Sequence, residues 1–136
     1  MPVLTKAVLL FALFAPCAAR AADLGGLVRQ YNESLKKVTG PLNQRRGLVI
    51  FHVEPVLEKI GALSTKASER WLAGEFDNAT TAIYVRESIP RVLLAGSSGA
   101  AVQVLLQGMA RRPPELQEAS LRALNESGGS LKLNDA

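Results

Sequence analysis

Apolar residues along the chain fall into one solid block and a succession of helical stripes. The block is Ala7 to Ala15, AVLLFALFA, preceded by Lys6 and broken by Pro16. A short basic lead, an apolar run and the small residues Cys17-Ala18-Ala19-Arg20-Ala21 have the anatomy of a secretory signal peptide, with Ala19-x-Ala21 placing the expected cut after Ala21. The run falls well short of the about 20 apolar residues that cross a bilayer as a helix. Two other leaders fit less well. Pro16 stands where a lipoprotein signal would carry a small residue before Cys17, and a mitochondrial presequence would be amphipathic and Arg-rich. Residues 1–21 are therefore expected to be a signal peptide, 22–126 a single helical domain, and 127–136 a polar, Gly-rich flexible tail.

The first stripe is Leu24, Leu27, Val28, Tyr31, Leu35 and Val38, spaced three and four apart with Arg29, Gln30, Asn32, Glu33, Lys36 and Lys37 between them. It predicts an amphipathic helix over 24–38, with Asp23 at its N-cap and Gly40-Pro41 as its stop. Leu42 to Leu63 carries two patterns at once. Gly47 to Val53 is β-branched and continuously apolar, as a buried strand would be, whereas Val49, Val53, Val56, Ile60 and Leu63 keep helical spacing. A long kinked or broken helix is the favoured reading, with Pro55 either bending it or starting its second part.

After the polar link Ser64-Thr65, Ala67, Trp71 and Leu72 predict a brief helix ending at Gly74. Asp77 then caps a segment in which Ala82, Val85, Ile89, Val92 and Leu93 hold helical spacing across Pro90. Gly96-Ser97-Ser98-Gly99 reads as a turn. Val102, Leu105, Leu106 and Met109 give one face of a helix over 99–111. Pro113-Pro114 opens a last helix through Leu116, Ala119, Leu121 and Leu124, with Glu115 and Glu118 in the first turn, where the helix dipole favours anions. The expected fold is all-α, a small bundle of four to five short helices; the alternative is α+β, with a small sheet from residues 48–53 and 81–85. No internal repeat emerges, since one helical hairpin over 97–126 is not a solenoid.

Composition adds mainly exclusions. Of 136 residues 48% are hydrophobic and 21% charged, the balance of a chain that folds. The net charge of +4 includes Lys6 and Arg20 in the leader, so the domain itself is only weakly basic. The basic pairs Lys36-Lys37, Arg45-Arg46 and Arg111-Arg112 are interleaved with acids, and Tyr31, Phe51, Trp71, Phe76 and Tyr84 form no stacking platform, so no nucleic-acid partner is expected. One cysteine, itself in the leader, and one histidine leave no disulfide framework and no His/Cys metal site; no cofactor and no membrane span are expected.

His52 is the one residue on which nucleophilic catalysis would have to be built, with Ser64, Ser97 or Ser98 as nucleophile and Glu54 or Asp77 as orienting acid. No G-x-S-x-G elbow surrounds those serines, and His52 lies in the most apolar stretch of the chain. Gly96-x-x-Gly99 between apolar segments lacks the full dinucleotide-binding fingerprint. The acids Glu54 with Glu58, and Glu75 with Asp77, are local neighbours on solvated faces rather than a facing pair. Asn32-Glu-Ser34, Asn78-Ala-Thr80 and Asn125-Glu-Ser127 match the glycan acceptor pattern.

What remains is a surplus of apolar side chains over one narrow stripe per helix, from which Phe51, Trp71, Leu94 and Leu105 are the expected apolar binding surface. The expected function is that of an exported, non-enzymatic helical module, secreted or periplasmic, acting through a protein partner or as a homo-oligomer. Two alternatives stand beside it: a carrier or inhibitor with an apolar pocket for a lipid-like ligand, and a small hydrolase using His52.

Overall fold

The computed structural model describes residues 23–96 and 99–131, with side chains as far as Ser127. The leader cut after Ala21, the serines Ser97 and Ser98 and the last residues of the expected tail lie outside the described residues. Helix follows helix: α1 (residues 23–35), α2 (Leu42–Leu48), a π-helical turn (Val49–Val53), α3 (Glu54–Ala62), α4 (Lys66–Phe76), α5 (Ile83–Arg86), α6 (Ile89–Ala95), α7 (Gly99–Leu106), a 3-10 turn (Met109–Arg111) and α8 (Pro114–Leu131). The protein is all-α. No strand occurs among the described residues, and 48–53 and 81–85, the segments of the α+β alternative, are helix, π-turn and helix entry.

The ambiguous stretch is one bent rod, α2 running through the π-turn into α3. Proline explains the bend. Pro55 sits in the first turn of α3, and in an unbroken α-helix its ring would strike the carbonyl of Phe51. The chain widens instead, so that the Glu54 N–H donates to the Val49 carbonyl, five residues back. Val49 and Val53 stay in the core while Ile50 and Phe51 are carried outward.

Short-range chemistry sets the other boundaries. Gly40, at φ +94°, makes the left-handed exit after α1. That helix ends at residue 35 rather than 38, yet Val38 still packs against the core from the following turn. Helix α4 opens on a capping box: the Ser68 N–H donates to Thr65 Oγ1 and the Thr65 N–H to Ser68 Oγ, each at 3.0 Å. It runs past Gly74 to the fully buried Phe76, whose carbonyl accepts from Arg86 Nε at 2.7 Å. Helix α8 continues beyond Ser127, where a flexible tail was expected, to Leu131.

Helix α6 is the centre of the bundle. Ile89, Pro90, Val92, Leu93 and Leu94 are all buried, and the helix packs against α3, α4 and α8. A helix apolar on nearly every side has to be surrounded, and its one charged residue, Arg91, is the one at the surface. Tyr31, Leu57, Ile60, Leu72, Phe76, Leu105 and Leu116 complete the core around it.

Arg112 closes the far end of α7. Its guanidinium donates to the carbonyls of Leu105 and Val104 and to Asp77 Oδ1, the last two at 2.8 and 3.0 Å, and it lies 4.6 Å above the Phe76 ring. The basic pair Arg111-Arg112 is therefore split between an exposed residue and a buried clamp.

Candidate functional site

The four residues expected to share an apolar surface do not share one. Phe51 is 74% exposed; Trp71 is half-buried and meets Tyr31 edge-on, with centroids 4.9 Å apart; Leu94 and Leu105 are in the core. Leu94 is covered because α6 is packed on several sides, and Leu105 because α7 turns that residue inward and leaves Leu106 outside. Ile50, 61% exposed, is the residue that stands with Phe51. A continuous apolar run does not say which of its members face out; Pro55 just beyond the run is the one sign in the sequence of a bulge there.

Beside Ile50 lies a groove of about 480 Å³ between the π-turn, the α5–α6 junction and α8. Val49, Tyr84, Ala119 and Ala123 contribute its apolar lining, and its rim carries Glu54, Glu87, Glu115, Glu118 and Glu126 against Arg46, Arg91 and Arg122. Ion pairs fix the near wall. Arg46 meets Glu87 at 3.1 Å, and Arg91 lies 3.6 Å from Glu54 and 3.2 Å from Glu58. Ser88 Oγ donates to Glu54 Oε1 at 2.9 Å. On α8, Arg122 pairs with Glu118 at 2.8 Å. Such pairs near the surface contribute little stability each, and they leave a rim that carries both signs of charge.

A second cavity, of about 700 Å³, opens between α4, α6 and α7. A third, of about 380 Å³, lies over a polar cluster at the end of α1. There Tyr31 donates to Glu75 Oε2 at 2.7 Å, Thr81 donates to the same oxygen at 3.1 Å, and the Asn78 amide approaches Glu75 Oε1 at 3.4 Å. Asn78 Oδ1 in turn accepts from the Thr80 N–H and hydroxyl, so the one glycan-acceptor triplet that lies outside a helix is folded onto itself as a turn.

Burial first, and then the hydrogen bond to and charge of Glu75, push the Tyr31 phenol far above the ordinary tyrosine range. The raised value means that Tyr31 stabilises the fold fully below about pH 10 and progressively less above it, by up to about 1.4 kcal/mol per pH unit. Urea melts at rising alkaline pH are expected to fall more steeply for the wild type than for Tyr31→Phe, and parallel curves would contradict this.

His52 is half-buried against Phe51, rings edge-to-face at 4.8 Å, and makes no hydrogen bond to a serine or carboxylate among the described residues. Ser64 donates to the Gly61 carbonyl at 3.4 Å and borders the α4–α6–α7 cavity rather than His52. Among the described residues no three His, Cys, Asp or Glu side chains are placed to hold a metal ion, and no helix is long and apolar enough to cross a membrane. Of the three concave features, two have apolar character: the charged groove with the exposed Ile50 at its edge and the open, mostly apolar depression between α4, α6 and α7. No protein-family model, no curated protein and no solved structure matches the chain.

Proposed function

We propose that the chain is an exported, non-enzymatic helical module that assembles with itself, the π-turn of one copy seating in the groove of the other. The observation that carries this is the pair Ile50 and Phe51, consecutive large apolar side chains 61% and 74% exposed, the first of which lines the edge of a groove of about 480 Å³. An exposed apolar pair adjoining a groove lets that face meet a copy of itself, which is what a two-fold dimer requires. The rim supports the same pairing: it carries both signs of charge, so a two-fold rotation can set Arg46 or Arg122 against Glu115 or Glu126 of a second copy. Export rests on the leader sequence alone, and a secreted or periplasmic location is part of the proposal.

Sedimentation velocity over a dilution series tests it. The wild type is expected to pass from monomer to dimer as its concentration rises into the micromolar range. Ile50→Ser/Phe51→Ser should remain a monomer, with a melting temperature little changed because neither side chain is in the core. A wild type that stays monomeric at millimolar concentration, or a double variant that dimerises equally well, would contradict the proposal.

A further inference from the structure

We infer that the cavity between α4, α6 and α7 binds a free single-chain amphiphile with an anionic head, such as a fatty acid. It is an open depression of about 700 Å³ rather than an enclosed chamber, and its lining is mostly apolar, with the buried Leu93 and Ala101 and the half-buried Val104 forming its floor. Ala73 and Gly96 at its edges are too small to fill it. Helix α7, which forms one wall, carries no charged residue and touches the body chiefly through α6. An apolar helix of this kind normally has cover on all sides, whereas here Ala100 and Leu106 are exposed and Val102 and Val104 only half-covered. A hydrocarbon chain lying in the cavity would cover the Ala100 and Val104 side of it.

The mouth decides which head group belongs there. Lys66 and Arg70 stand one turn apart on α4, both exposed, both bordering the cavity, and neither in an ion pair or hydrogen bond among the described residues. Glu69 shares that border and offsets one of the two charges, leaving a net positive mouth. An open apolar floor bordered by two unpaired cations is complementary to a carboxylate at the end of an acyl chain and repels a cationic head. The groove at the π-turn has the opposite bias, five glutamates to three arginines, so an anionic amphiphile is directed to α4 and not to the dimer face.

Dansyl-undecanoate is a suitable probe, since its emission brightens and shifts to the blue in an apolar site. The wild type is expected to bind it below its micelle-forming concentration, dodecanoate to displace it, and dodecyltrimethylammonium, of equal chain length, to leave it in place. Lys66→Glu/Arg70→Glu should weaken binding roughly tenfold or more, a loss of about 1.4 kcal/mol or greater, without lowering the melting temperature. Ala73→Phe, which fills the cavity, should abolish it. Ile50→Ser/Phe51→Ser should bind as the wild type does, which separates this site from self-assembly. Absence of probe binding, equal competition by the cationic amphiphile, or undiminished affinity in the charge-reversed variant would overturn the inference. So would co-sedimentation with phosphatidylglycerol vesicles in the absence of probe binding, which would make the patch a membrane contact.

Discussion

Replacing the buried Arg112 with Ala is expected to cost about 3 kcal/mol of stability, on the order of 10–20 °C in Tm. Three losses combine. The Val104 and Leu105 carbonyls at the end of α7 lose the donor that satisfies them, Asp77 loses its partner, and the Phe76 ring loses the guanidinium stacked on it. The carbonyls dominate, because burying an acceptor without a partner costs more than the net gain of making the bond. Asp77 is 55% exposed and can return to water, so its share is small. Arg112→Lys should recover little, since one ammonium cannot span both carbonyls, the carboxylate and the ring face. Thermal melts of the two variants check this; a Lys variant as stable as the wild type would show that charge alone matters.

Gly61→Ala is expected to destabilise the protein by about 1–3 kcal/mol, the reverse of what a glycine-to-alanine change does within an ordinary helix. A Cβ at position 61 would stand 2.6 Å from Val92 Cγ1 and 3.2 Å from the Val92 carbonyl oxygen. Valine is stiff at χ1 and the backbone beneath it cannot retreat, so α3 and α6 would have to part. That contact joins the bent rod to the central helix. Gly47→Ala is the control, since nothing lies within 4 Å of its missing Cβ, and it should be neutral or slightly stabilising. Denaturant midpoints that move the same way for both variants would contradict the close packing of α3 on α6.

The two positions also show what the sequence could and could not convey. The stripe of α1 was legible because that helix is covered on one side only, and a one-sided environment writes a one-sided pattern. Helix α6 is covered on several sides, so its residues are apolar all round and Leu94 carried no mark separating core from surface. The run at 47–53 looked like a strand for a related reason. A π-turn puts Ile50 and Phe51 outside and Val49 and Val53 inside, and if the outer pair is itself a contact surface nothing in the run is polar. Arg112 read as half of a basic pair because its partners are backbone carbonyls, which become a site only when α4, α7 and the 3-10 turn meet. The α4–α6–α7 depression was illegible for the same reason: Lys66, Arg70 and Ala73 of α4 meet Leu93, Ala101 and Val104 of α6 and α7 only in the folded chain.

A photo-cross-linker tests the proposed dimer, the π-turn of one copy in the groove of another, at the point of contact. With benzoylphenylalanine at position 51 and a mixture of isotopically light and heavy chains, irradiation is expected to yield covalent dimers. Mass spectrometry should place the cross-link within Glu115 to Glu126 of α8, between chains of different isotope label. Cross-links confined to single chains, or dimers joined through a face away from α8, would contradict the account.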